Sequence, residues 1–254
     1  MFRSMLISFR VTNKFYAAGE QRAVRVKDLF AAVAPRYDLI NDLQSLGLHR
    51  HWKRRLLQLA AGQPGERALD LCCGTGDVAL ALARQGLEVA GLDFSEPMLA
   101  VAEKRLQAQS SKSKFSRPVQ FLRGDAQQIP FPDASFDLVT ISYGLRNLAD
   151  WEMGLREMRR VVRPGGRLLV LDFGKPDNAA WRALYFTYLR RCVPLMGRIF
   201  FGDPDTHGYI LESLLHYAAQ QGVAAKMREL NLVQTRIINL MGGIMSLNYG
   251  EKPR

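Results

Sequence analysis

Apolar positions change their period near residue 66. In His49–Ala60, Trp52, Leu56 and Leu59 recur at i, i+4 and i+7, which predicts a helix with one apolar stripe; Lys53, Arg54 and Arg55 fall on its other face. Two more helices are predicted upstream, over 21–34 and 38–45. Gly62-Gln-Pro-Gly65 then breaks the pattern. From residue 67 short apolar runs alternate with helical stretches. Strands are predicted at 67–73, 88–92, 119–123, 136–142 and 167–172. Between them fall a turn and helix over 74–84, a helix over 95–107 with Ser95 as N-cap, and a helix over 151–162 closed by Pro164-Gly165-Gly166. Gln109–Arg117 is polar and predicted as a loop. The chain ends in helices over 178–201, 208–217 and 219–230 and two strands, 233–239 and 244–249, around Gly242-Gly243. Alternating strands and helices imply an α/β fold with a parallel sheet and right-handed crossovers. A hairpin at the end makes the last strand of seven antiparallel.

The sharpest motif is Leu69-Asp-Leu-Cys-Cys-Gly-Thr-Gly-Asp-Val-Ala79. A strand ends, Gly74, Thr75 and Gly76 form a tight turn, and a helix begins. Glycine lets backbone reach a ligand at positive φ. Asp93 ends the next strand 19 residues after Gly74, where a carboxylate can take both ribose hydroxyls of a nucleoside. Gly74-x-Gly76-x-x-Ala79 also satisfies a dinucleotide pattern. Asp77, at the helix N-terminus, is expected to repel a pyrophosphate there and to tolerate S-adenosylmethionine, whose sulfonium is positive. Its plainer reading is a helix-dipole partner. Gly124-Asp125-Ala126 follows the third strand. Asp125 can accept the adenine amino proton and Ala126 offer its backbone amide; an ordinary Asx-turn is the plainer reading.

Composition narrows the class without naming it. With 48% hydrophobic and 23% charged residues, the 254-residue chain is neither disordered nor fibrous. Three cysteines without C-x-x-C spacing, and four scattered histidines, point to no disulfide framework and no metal site. No apolar run reaches the ~20 residues of a membrane span. The acid-poor first residues lack the apolar centre of a secretory signal. The net charge of +11 is uneven: residues 1–60 carry 11 basic and 4 acidic side chains, 61–174 carry 14 of each, and 175–254 carry 10 and 6. Basic flanks around a neutral middle suit nucleic acid, an anionic membrane surface or an acidic partner; a solvated basic surface is the plainer reading.

Three blocks, together with the glycine loop, resemble the ubiquinone/menaquinone biosynthesis C-methyltransferase family over about residues 30–249. They are Tyr37-Asp-Leu-Ile-Asn-Asp-Leu-Gln-Ser-Leu-Gly-Leu-His-Arg-His-Trp-Lys53, Thr140-Ile-Ser-Tyr-Gly-Leu-Arg-Asn147, and Arg160-Val-Val-Arg-Pro-Gly-Gly-Arg-Leu-Leu-Val-Leu-Asp-Phe-Gly-Lys175. Three departures fall on the substrate side. Asp172 and Gly174 replace the family's usual Glu and Ser, Asn248 a frequent His, and Leu215-His-Tyr217 a Phe-Pro ending. Gly197-Arg-Ile-Phe-Phe-Gly-Asp-Pro204 looks like members acting on naphthoquinols.

The resemblance implies the class I S-adenosylmethionine-dependent methyltransferase fold, Rossmann-like, in one domain. That domain has a helical cap (1–60), a cofactor core (61–174), a helical insertion over the substrate (175–218) and a last helix with closing strands (219–254). It implies C-methylation of a polyprenylated quinol, demethylmenaquinol first and the benzoquinol of ubiquinone synthesis second. Loss of a phenolic proton would make the ortho carbon nucleophilic. Arg146, Asn147 and Tyr37 match the residues implicated in activating the quinol, and Ser142 matches a cofactor contact. Arginine is a poor base, so Arg146 is expected to lower the phenol pKa and position water; pairing with Asp38 or Asp42 is its structural alternative. Trp181, Tyr185, Phe186, Tyr188, Phe200 and Phe201 are expected to cover a prenyl chain, with Arg190, Arg191 and Arg198 facing lipid headgroups; ordinary core packing is their plainer reading. The enzyme would then be cytoplasmic, peripheral to a membrane, and free to pair as a homodimer. A nicotinamide oxidoreductase and a non-catalytic quinone-binding scaffold are the competing classes. Nucleic-acid methylation is disfavoured because no Asn-Pro-Pro-Tyr-type motif follows the fourth strand.

Overall fold

The computed structural model describes residues 41–42, 45–110, 115–201 and 205–254. Tyr37, Asp38, the helix expected over 21–34 and most of the turn at 202–205 lie outside the described residues. Seven strands form one sheet in the order β3-β2-β1-β4-β5-β7-β6. They are β1 Arg67–Leu71, β2 Glu88–Asp93, β3 Val119–Arg123, β4 Phe136–Ser142, β5 Val162–Phe173, β6 Val233–Leu240 and β7 Met245–Glu251. β1 to β5 run parallel to one another, and β7 lies antiparallel between β5 and β6.

Helices cover both faces: α1 Leu48–Ala60, α2 Asp77–Arg84, α3 Glu96–Ser110, α4 Trp151–Val161, α5 Ala179–Phe201, α6 Asp205–His216 and α7 Ala219–Glu229. The central strands are buried on both sides, as parallel strands covered by helices must be. In β1, Ala68 packs toward Trp52 and Leu56 of α1 and Val78 of α2. Leu69 and Leu71 face the other layer, with Leu155 and Met158 of α4. α4 starts where the Asp150 carboxylate accepts from the Met153 N–H at 2.9 Å, an N-cap.

Three local expectations are corrected. The buried stripe of α1 is His49, Trp52, Leu56 and Ala60, with Leu59 only half-buried. Pro164-Gly165-Gly166 lies inside β5 and does not close α4: pairing with β4 jumps from Phe136↔Val162 to Leu138↔Arg167, so these residues bulge out. Tyr185, expected in a lid, sits in the core with Leu189 and Val193 on the inner side of α5.

Strand order reverses between β1 and β4. In such sheets the crevice at the strands' carboxyl ends is where ligands bind.

Candidate active site

A cavity opens at that crevice, the place where small-molecule sites of such sheets lie. Its walls come from the ends of β1 (Cys72, Gly74), β2 (Asp93, Phe94), β3 (Gly124–Gln127) and β4 (Ser142–Gly144, Asn147–Ala149). Of the cofactor residues expected from sequence, Gly74, Asp93, Asp125, Ala126 and Ser142 line it; Thr75 and Gly76 do not.

Gly74 has φ +54° and nothing within 4 Å of where a Cβ would stand, so its backbone faces the open cavity. Gly76 works behind it. At φ +83° its Cβ would meet the Phe121 ring at 2.9 Å and Ala102 at 3.1 Å, so glycine is needed for both conformation and space. Thr75 is buried, and its hydroxyl and carbonyl accept from Arg105.

Asp93 is buried at the mouth of the loop. One carboxylate oxygen accepts from the Gly74 N–H at 2.8 Å and the other from the Ser95 N–H at 2.9 Å. Burial pushes its carboxyl up, and these backbone donors oppose that. Each oxygen keeps a lone pair for a ligand hydroxyl. Asp125 closes an Asx-turn by accepting from the Gln127 N–H at 2.8 Å, so the plainer reading accounts for its local geometry while it still lines the cavity. The Ser142 hydroxyl is buried with no hydrogen-bond partner among the described residues. A cavity with a carboxylate at one end, open glycine backbone beside it and an orphaned hydroxyl on the wall suits the nucleoside and amino-acid parts of S-adenosylmethionine.

The expectation for Asp77 is corrected. Burial works against its ionisation, but Lys53 at 2.9 Å and Arg105 at 2.8 Å outweigh that and hold its pKa below the usual carboxylate range. Its charge is offset on two sides, so it does not discriminate against phosphate. It ties α2 to α1 and α3 instead. Lys53, expected on the free face of α1, is spent on this contact.

Arg146 and Asn147 form a single 3₁₀ turn, Leu145–Asn147, after β4. Asn147 lines the cavity. Arg146 does not; its alternative partner Asp38 lies outside the described residues. Its guanidinium meets the buried Asp172 at 2.8 Å, its own N–H reaches the second Asp172 oxygen at 3.0 Å, and it stacks over the Phe173 ring at 4.6 Å. It also donates to the Tyr143 carbonyl at 2.6 Å, and Asn147 Nδ2 donates to the same oxygen at 3.0 Å. Tyr143 needs that grip, because its φ is +60° and a bulky side chain there is strained. Cys72, at φ +50°, abuts it: a Cβ on Gly144 would collide with Cys72.

Asp172 is the main residue that sequence reasoning passed over, noting it only as a departure from Glu. The available signal was positional, since it follows Leu171, the partner of Ser142, at the carboxyl end of β5. Trp151 meets Tyr217 edge-on at 6.0 Å, and burial pushes the hydroxyls of Tyr185 and Tyr217 up. Burial likewise raises the thiols of Cys72 and Cys73, which keeps them protonated. Among the described residues no His, Cys, Asp or Glu cluster could hold a metal ion.

This sheet order, with an antiparallel β7 and a cavity at the β1/β4 switch, defines the fold of class I S-adenosylmethionine-dependent methyltransferases. Crystal structures agree. A SAM-dependent methyltransferase from Thermotoga maritima superposes with a TM-score of 0.59 at 18% identity, covering 89% of this chain and 99% of that one. The YcgJ protein of Bacillus subtilis does so with a TM-score of 0.57 at 20% identity, covering 81% and 100%. The sequence profile of the ubiE/COQ5 methyltransferase family matches residues 16–252, and the chain belongs to that family. It is 39% identical over 241 residues to the demethylmenaquinone methyltransferase of Desulfitobacterium hafniense, covering 93% of each chain. It is 40% identical over 237 residues to the ubiquinone/menaquinone biosynthesis C-methyltransferase UbiE of Cellvibrio japonicus, covering 92% of this chain and 94% of that one. A demethylmenaquinone methyltransferase from Thermus thermophilus is 40% identical over 227 residues, covering 89% and 100%.

Proposed function

We propose that the chain methylates a ring carbon of a polyprenylated quinol, with demethylmenaquinol as the acceptor and S-adenosylmethionine as the donor. The benzoquinol of ubiquinone synthesis is the second reading, because relatives at 39% and 40% identity carry the two names. The observation that carries the proposal is the cavity lined by Gly74, Asp93 and Asn147 together. Bound S-adenosylmethionine supplies an electrophilic methyl group. In this reading Asp93 takes the ribose hydroxyls, Asp125 and Ala126 meet the adenine, and Gly74 and Ser142 face the remainder. Thr75 and Gly76 act from behind by shaping the loop. Asn147 meets the quinol oxygen. Arg146, paired with Asp172, holds the loop that carries Asn147 and so places the donor that meets the quinol oxygen; Tyr37 belongs to the same group through the resemblance alone. The division into cap, core, insertion and closing strands is part of the proposal. Quinones extracted from a methyltransferase-deficient host carrying this gene should show the methylated product by mass spectrometry, and absence of both methylated heads would overturn the reading.

Asp93→Ala should weaken S-adenosylhomocysteine binding roughly 10- to 150-fold by calorimetry, because hydrogen bonds to a charged acceptor contribute on the order of 1.5–3 kcal/mol. Unchanged affinity would displace the cofactor from this cavity.

A membrane surface is the proposed workplace. No helix among the described residues is long and apolar enough to cross a membrane. α5 nevertheless exposes Trp181, Leu184, Tyr188 and Leu195 along one side, and at 3.6 residues per turn the exposed Arg191 and Arg198 flank that stripe. An apolar stripe rimmed by arginine suits an anionic interface, at about 1 kcal/mol per near-surface basic residue. Binding to anionic vesicles should fall steeply by about 0.5 M salt, where the Debye length drops below ~5 Å. Replacing Arg190, Arg191 and Arg198 with Gln should lower co-sedimentation several-fold and leave turnover of a short soluble quinol unchanged. Equal binding to neutral and anionic lipid would remove this role.

A further inference from the structure

Tyr209 of α6 reaches across to the 3₁₀ turn after β4. It is 1% exposed, among the largest fully buried side chains, and its hydroxyl donates to Asn147 Oδ1 at 3.0 Å. The other end of the carboxamide donates to the Tyr143 carbonyl at 3.0 Å. A backbone carbonyl can only accept, so the atom facing it is the nitrogen, and the atom facing Tyr209 is the oxygen. The carbonyl decides which end is which, and the Tyr209 hydroxyl, which can donate or accept, adds the second contact that holds the carboxamide in place. The donor left over is the second Nδ2–H, on a side chain that lines the cavity.

We propose that Tyr209 is a positioning residue: it fixes Asn147 so that the cavity is offered an N–H and never the amide oxygen. The proposal rests on the functional reading above and adds what it lacks, a reason for the polarity of the site. An acceptor that ionises at oxygen gains from a donor and is repelled by a carbonyl dipole. Without the Tyr209 hydroxyl, only the bond to Tyr143 holds the amide, and the carboxamide can swing its remaining N–H away from the acceptor. α6 belongs to the insertion on the substrate side, so the part of the chain that covers the acceptor also sets the hydrogen bond that polarises it.

Tyr209→Phe keeps the ring and removes the hydroxyl. In the full chain, kcat should fall about 10-fold, the lower end expected for a hydrogen bond to a charged oxygen. The acid limb of kcat, where the acceptor ionises, should move up by about one pH unit, the same factor expressed as a pKa. Affinity for S-adenosylhomocysteine should stay within two-fold. Asn147→Asp, which presents only acceptors, should lose more. A chromogenic naphthol bound with S-adenosylhomocysteine gives a readout independent of turnover: its apparent pKa should be lower on the wild-type chain than on Tyr209→Phe. A lowered melting temperature with unchanged pH profile and unchanged probe pKa would make Tyr209 merely structural and overturn the proposal. A wild-type chain that methylates no quinol defeats the functional reading, while the probe pKa still decides the role of Tyr209.

Discussion

Replacing Arg146 by alanine should lower folding stability by about 3–5 kcal/mol, the usual cost of stranding one partner of a buried ion pair. The stranded partner is Asp172, 2% exposed and bonded to both the guanidinium and the backbone N–H of Arg146. The same change frees the Tyr143 carbonyl from its 2.6 Å bond and loosens the loop that forms one cavity wall. Cofactor affinity should therefore drop along with kcat, a broader effect than a residue touching only the quinol would have. The informative comparison is Arg146→Met combined with Asp172→Leu. Apolar replacement of both partners of a buried pair is often neutral for stability, so chemical denaturation should show most of the loss recovered. Turnover should remain low, because the turn that carries Asn147 has lost its bond from Arg146 to the Tyr143 carbonyl. A double variant that regains both stability and turnover would show that the pair serves the fold alone.

Asp70→Asn should change the pH dependence of stability by about 4 kcal/mol between pH 4 and pH 8. Asp70 lies at 1% exposure in β1, beneath the glycine loop. Burial pushes its carboxyl up to about 7, against the opposing pull of the Thr140 hydroxyl at 2.7 Å, Lys53 and the Ala79 N–H. The unfolded chain gives up this proton near its ordinary value of 3.8. The native state thus binds the proton more tightly, and its stability falls as pH rises from about 4 to about 7. Three units of pKa correspond to about 4 kcal/mol. Asparagine keeps the shape and never ionises, so the variant should hold its stability where the wild type declines. Glu66, Glu157 and Asp77, with lowered pKa values, act in the opposite sense at lower pH, and they are common to both chains. Identical slopes in urea denaturation at fixed ionic strength would show that Asp70 ionises freely.

The alternation of strands and helices, the glycine turn and the carboxylate ending β2 were all legible in the sequence, because each depends on contacts a few residues apart. Period 2 and period 3.6 are local properties. Gly74 and Gly76 announce a turn by themselves, and Asp93 follows from the length of one βα unit. Asn147 was legible through the block that contains it.

Which charges meet was decided only by tertiary structure. Asp77 reads as a free anion at a helix start until α1 and α3 bring Lys53 and Arg105 to it from 24 and 28 residues away. Arg146 finds Asp172 because β4 and β5 lie in parallel register, with Ser142 beside Leu171; a one-residue slip would turn Asp172 to the other face of the sheet. Tyr209 reaches Asn147 over 62 residues, and nothing in either local stretch marks the other. A sequence carries the period of its elements in every window, whereas the register and packing that neutralise a buried charge are fixed only when the whole sheet closes.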